Sequence, residues 1–221
     1  TIAITVDAPI ESNGLTVELA IDEMVGEIIQ VEGIIGPSLV NKDGFYLIDE
    51  TGVIAVLVND SSVWEGLAIG QKVVVEGKRD KFNSGNNGYG VTCLTSATIL
   101  VNYYGNHEYS TAKFITGKTL ADIKALSVEE SHSTEVYVVK ATVEVVETAY
   151  YTNLKITYNG VELALYCSGA AQYNWLKAFA GQEVTVEVAA CNWNDKNYYT
   201  GCVLSVVTED GKVCNELNFS K

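Results

Sequence analysis

The sequence predicts an all-β chain made of two tandem five-stranded Greek-key barrels, each with a short helix before its first strand and another between its third and fourth. Three observations predict it. The chain repeats itself: Gly52-Val53-Ile54-Ala55-Val56-Leu57, Val63-Trp64 and Gly70-Gln71-Lys72-Val73-Val74-Val75-Glu76 recur as Gly160-Val161-Glu162-Leu163-Ala164-Leu165, Asn174-Trp175 and Gly181-Gln182-Glu183-Val184-Thr185-Val186-Glu187. Trp64 and Trp175 lie 111 positions apart, as do Gly70 and Gly181, a period that suits a whole domain rather than a solenoid repeat. Short runs alternate apolar and polar with period two, punctuated by Gly, Asn and Asp turns. Both halves follow the same order of three strand signals, a helical turn and two more strand signals.

In the first copy, residues 1–10 read as a strand, and Asn13-Gly14 as a turn. Thr16 to Met24 has helical character, with Val17, Ala20, Ile21 and Met24 on one face. Strand signals follow at Gly26 to Gly36, at Phe45 to Ile48 after an Asp43-Gly44 turn, and at Val53 to Val58 after Thr51-Gly52. Ser61 to Leu67 reads as one helical turn capped by a serine or Asp60. Lys72 to Phe82 is a long fourth strand, Asn83 to Gly88 a loop, and Tyr89 to Val101 the fifth strand. Asn102 to Gly117 connects the copies and carries Tyr103, Tyr104, Tyr109 and Phe114.

The second copy opens with a helix over Thr119 to Leu126, with Leu120 and Ile123 inward. Thr134 to Glu147 is a long strand whose face is Tyr137, Val139, Ala141, Val143 and Val145. Leu154, Ile156 and Tyr158 alternate next, then the Asn159-Gly160 hairpin, then Val161, Leu163, Leu165 and Cys167. Ala170 to Ala180 has helical spacing. Val184, Val186 and Val188 alternate in the fourth strand, Asn192 to Asn197 is a loop, and Tyr199 to Thr208 is the fifth strand. Val213 to Phe219 offers a last strand. The implied organisation is an N-terminal strand or linker at 1–15, barrels at 16–105 and 119–221, and a linker at 106–118.

This order is that of the OB-type barrel. The long first strand of such a barrel curls, and Gly33 and Gly36 suit that bend in the first copy; the second copy has no glycine there. Residues 16–101 resemble the small OB-type modules of secreted and lipid-anchored bacterial proteins, including those attached to extracellular nucleases. The resemblance is carried by Val31-Glu32-Gly33-Ile34-Ile35, Gly44-Phe45-Tyr46-Leu47-Ile48-Asp49, Gly52-Val53-Ile54-Ala55-Val56 and Gly70-Gln71-Lys72-Val73-Val74-Val75-Glu76-Gly77. Residues 119–208 match more loosely. The resemblance implies an extracellular or cell-surface location after export. Nucleic-acid binding is implied only weakly, because one fold hosts many ligands.

With 28 acidic against 14 basic residues, the net charge of −14 opposes a dominant phosphate-binding role. No apolar run of 18 residues occurs, so no membrane-spanning helix is expected. Thr1 to Pro9 lacks the basic and apolar regions of a signal peptide, so it reads as the stretch left when a leader has been removed, or as a boundary. None of Cys93, Cys167, Cys191, Cys202 and Cys214 forms a Cys-x-x-Cys pair, and neither a metal site nor a cofactor is expected. Cys191 and Cys202 flank one hairpin loop; a disulfide there and buried thiols are both open.

Candidate ligand contacts lie on the outer face of strands two and three and on the loop tips. Tyr46 alternates against Phe45 and Leu47 and so points outward. Lys78, Arg79 and Lys81 beside Phe82 and Tyr89 form the one basic cluster with nearby aromatics, which suits single-stranded nucleic acid; the competing reading is a solvated hairpin tip. Trp193, Tyr198 and Tyr199 with Asn192, Asn194 and Asn197 suit sugar rings or a protein partner, or else pack the barrel end. Tyr150 and Tyr151 add to whichever face they share. Trp64 and Trp175 read as core. Asp43, Asp49, Glu50 and Asp60 lack calcium-loop spacing. His107 and His132 stand alone in polar stretches, and no nucleophile or phosphate motif occurs, so no catalysis is expected. The expected function is a non-catalytic extracellular binding module for an oligonucleotide, sugar or protein. The alternative is an assembly subunit that self-associates by adding its Thr1 to Val6 strand to another copy.

Overall fold

A computed structural model describes residues 14–38, 44–58, 67–82, 91–108, 114–126, 135–147, 152–165, 175–192 and 199–214. The first copy comprises helix α1 (Val17–Asp22) and strands β1 (Ile28–Ser38), β2 (Gly44–Ile48), β3 (Val53–Leu57), β4 (Lys72–Phe82) and β5 (Val91–Asn102). These close a barrel in the order β1-β2-β3-β5-β4, with β3 and β5 parallel and the other pairs antiparallel. The second copy comprises α2 (Leu120–Lys124), β6 (Val136–Glu147), β7 (Thr152–Tyr158), β8 (Val161–Leu165), β9 (Glu183–Asn192), β10 (Tyr199–Val207) and β11 (Val213–Cys214). Its sheet runs β11-β10-β9-β6-β7-β8. That is the same cyclic order, cut between β8 and β10, with one strand added outside β10. Strands β8 and β10 lie near each other, yet among the described residues no ladder joins them. The fold is all-β and OB-type, and the second copy is its open version.

A physical difference accompanies the cut. Strand β1 pairs with β4 up to Ile34 and with β2 from Ile34 onward, so it must bend at the changeover. Gly33 and Gly36 sit there. A Cβ on Gly33 would lie 2.8 Å from Leu47 Cγ and 2.9 Å from the Ile48 carbonyl oxygen, and one on Gly36 would lie 2.5 Å from Ile48 Cδ1. The bare backbone lets β2 close over β1. In β6 the changeover falls at Thr142, which faces both Thr157 and Glu183, and no glycine lies within that strand.

The repeat extends to backbone hydrogen bonds. Gly70 N–H donates to the Ile35 carbonyl and Gly181 N–H to the Val143 carbonyl, both at 2.8 Å. Ile35 N–H in turn donates to Gln71, and Val143 N–H to Gln182. Gly70 and Gly181 have φ of 88° and 77°, the left-handed region that favours glycine. The chain also enters each copy by the same parallel bridge, Leu15 to Val31 and Ile115 to Tyr137. The glycine shared by the two halves is therefore the residue that turns the chain back onto the first long strand.

Three apolar clusters result. One fills the barrel around Val31, Phe45, Leu47, Ile54, Val73 and Leu94, and a second underlies the open sheet around Val139, Ile156, Leu163, Trp175, Val186 and Val203. Trp175 is buried as its position in the repeat predicts and meets Phe179 edge-on at 6.2 Å between ring centroids. The third lies between the copies, on the outer face of the barrel. Helix α1 is shorter than its sequence pattern. Glu23 is extended at ψ 154°, so Val17 and Ala20 are buried while Met24, expected on the same face, is exposed. Val145 likewise reaches past the covered part of β6. The Trp64 helical turn and the Thr1 to Val6 strand fall outside the described residues.

Replacing Gly33 by alanine is expected to lower unfolding free energy by roughly 1–3 kcal/mol, because the new methyl meets backbone as well as Leu47. Urea denaturation of the full chain measures this.

Candidate ligand-binding faces

OB barrels take ligands on the outer face of their second and third strands. In the first barrel, alternation sends Phe45, Leu47, Ile54 and Val56 into the core and leaves Tyr46, Ile48, Val53 and Ala55 on that outer face. These four, with Cys93 of β5, form a buried cluster with Phe114, Val136 and Leu204. The second copy covers the surface where a ligand would sit. Tyr46 does point out of its barrel, but it keeps only 1% of its surface exposed, and this corrects the expectation that it meets solvent. Alternation within β2 reveals direction; it cannot reveal what packs on the far side.

The basic hairpin is corrected in part. Arg79 is buried. Its Nε and Nη2 donate to the Ile21 carbonyl at 3.3 and 2.9 Å, and its Nη1 donates to the Asp80 carbonyl at 2.6 Å. Burial pulls its pKa below the ordinary guanidinium value, and the neighbouring Cys93, Asp80 and Asp22 act in the opposite direction. The side chain thus satisfies the C-terminal end of α1, where carbonyls lack helical partners. The other end is held by the β2–β3 turn. Asp49 Oδ2 accepts from Val17 N–H at 2.8 Å, and Thr51 Oγ1 accepts from Glu18 N–H at 2.9 Å. Asp49 Oδ1 meanwhile accepts from the backbone of Thr51 and Gly52 and from the Thr51 hydroxyl. Asp49, weighed as a loop acid, fastens helix to barrel.

Of the remaining cluster, Lys78 pairs with Asp80 at 3.3 Å and Lys81 is exposed. Phe82 faces Val91 in the ladder, and Tyr199 faces Asn192; their side chains lie outside the described residues. So do Tyr89, Tyr150, Tyr151, Trp193 and Tyr198 entirely. Cys191 stands opposite Thr200 and Cys202 opposite Ala189, so neither faces the other directly across the ladder. His107 holds the Tyr104 carbonyl through Nε2 at 2.8 Å.

The equivalent face of the second copy is partly open. Along β6, Val136 and Val138 turn toward the barrel, whereas Thr142 and Glu144 of the same face line a groove of about 330 Å³. Thr157, Tyr158, Asn159, Gly160, Glu162 and Glu183 complete it. Asn159 and Gly160 have φ of 50° and 77°, the paired left-handed residues of a two-residue hairpin. Lys155 spans the wall: it pairs with Glu144 at 3.1 Å and also with Glu162. Thr157 Oγ1 donates to Glu144 Oε1 at 2.8 Å. Those contacts, the Thr157 bond foremost and then Lys155, hold the Glu144 carboxyl below its usual range. Three carboxylates against one ammonium leave the groove negative. The sequence signal for it was faint, just glutamates at outward positions of alternating strands.

The closed β1–β5 ladder and its repeated order define the class: an all-β, OB-type protein. No protein-family model matches the chain, and no curated protein matches it. Among solved structures it is similar to the hypothetical protein ygiW from E. coli, at 19% identity over 40% of this chain and 91% of that one, with a TM-score of 0.31. It is also similar to the p204 HINb domain, at 12% identity over 82% and 99%, with a TM-score of 0.38. The Ifi202 HINa domain in complex with 20-bp double-stranded DNA is 13% identical over 82% and 98%, with a TM-score of 0.37. At TM-scores below 0.5 these likenesses assign no ligand to the chain.

Replacing Arg79 by alanine is expected to cost about 2–3 kcal/mol of stability through the lost charged hydrogen bonds. Replacing Lys81 by alanine is expected to change it by no more than about 0.5 kcal/mol. Paired denaturation curves distinguish a clamp from a solvated surface charge.

Proposed function

We propose that the chain is a non-catalytic binding module of an exported bacterial protein, and that its ligand is a neutral saccharide held in the β6–β7–β8 groove. The observation that carries this reading is the groove's lining. Carboxylates, threonine hydroxyls and the Asn159 amide supply acceptors and donors for sugar hydroxyls, with the half-buried Tyr158 beside them. Net negative charge opposes a phosphate backbone. In the first barrel the corresponding face is covered, and Arg79 is committed to α1. The exported, extracellular setting rests on the sequence resemblance alone.

A glycan array followed by calorimetry tests the proposal. Saturable binding of an uncharged oligosaccharide, weakened about tenfold or more by Glu162→Gln or Asn159→Ala, is the expected result, a loss of the size a hydrogen-bonding group at a ligand site carries. Saturable, salt-sensitive binding of single-stranded DNA that those variants leave intact would overturn it.

A further inference from the structure

On β9, Val184, Val186 and Val188 point into the core of the second copy, which leaves Glu187 on the opposite face. That face meets the barrel. Val138, opposite Glu187 on β6, packs against the inter-copy cluster, and Leu204, beside the β10 partner Ser205, belongs to it. Glu187 is 7% exposed and Ser205 0%. The Glu187 carboxylate accepts a hydrogen bond from Ser205 Oγ at 2.6 Å, and among the described residues no cation pairs with it. A carboxylate buried without a counter-charge is costly unless it takes up a proton.

We propose that the contact between the barrel and the second sheet is a pH-responsive latch, closed while Glu187 is protonated and loosened when Glu187 ionises. Burial raises the affinity of this carboxyl for its proton, and the Ser205 bond opposes that only partly. The raised value belongs to the closed state. Its stabilising effect is therefore full below the ordinary carboxyl range and fades as pH rises through the closed-state value. On the outward face of β6 and β9 that carries Glu187, Glu144 and Glu183 lie further along, at the groove. Lys140 on β6 is exposed, and Tyr46 on β2 and Cys93 on β5 lie in the cluster. Arg79 of β4 is engaged by the Ile21 and Asp80 carbonyls, and Glu32, the charged residue of β1, by Lys72. Opening the latch would bare the apolar outer face of the barrel. Glu187 lines no part of the saccharide groove, so the two proposals stand or fall separately.

Cys93 reports the latch, because it is fully buried in this cluster. Its alkylation rate would be followed by peptide mapping in the wild type and in Glu187→Gln, which keeps the shape of the protonated side chain. The ratio of the two rates cancels the thiolate's own pH dependence. The expected ratio stays near one at about pH 5 and rises to about tenfold by about pH 8, a coupling in the usual allosteric range. A ratio that stays flat overturns the latch. Val136→Asp, which puts a charge into the same layer, is expected to speed Cys93 alkylation at every pH. If it leaves Cys93 as slow as in the wild type, the contact does not guard that thiol and the proposal fails.

Discussion

Tyr46, Ile48, Val53 and Ala55 form an apolar outer wall on the first barrel, and a barrel wall of that composition must be covered. Phe114, Val136 and Leu204 cover it. Much else in the chain depends on this one layer. The connector brings Phe114 to the wall, β6 starts against it, and Leu204 reaches it beside the bulge where β10 shifts register between Val203 and Ser205. Full burial of such side chains is worth roughly 1.5–3 kcal/mol each. The layer therefore couples the barrel to the second sheet. It also covers the outer face of β2 and β3, the face on which OB barrels in general take ligands.

Within the first barrel, α1 depends on the same principle of satisfied ends. Six residues are too few for a helix to persist alone. Asp49 and Thr51 meet its first amides, Arg79 meets the Ile21 carbonyl near its end, and Val17 and Ala20 face the core. The helix links the β2–β3 turn to β4. A loop carboxylate, Asp49, and a guanidinium that the sequence suggests for ligand binding, Arg79, are both used in that link.

What was legible in the sequence was periodic or conformational. Alternation placed Val184, Val186 and Val188 correctly inward, and Asn159-Gly160 and Gly181 marked turns that do need left-handed backbone. Gly33 and Gly36 foretold the bend that closes the first barrel. Contacts between distant segments were not legible. Nothing near Tyr46 shows that Leu204 will cover it, and nothing near Arg79 shows that Ile21 lies within reach. The groove was missed for the same reason. Glu144, Glu162 and Glu183 come from three strands and read singly as solvated charges.

The central claim is that the wall of the first barrel and the second sheet stabilise each other. A double-mutant cycle on the full chain tests it most directly, with Tyr46→Ala and Leu204→Ala made singly and together and unfolding free energies read from urea curves. Contact across the layer predicts a coupling energy of about 1 kcal/mol or more. Strictly additive losses would mean that the two side chains do not share a packed layer, and the account would be contradicted.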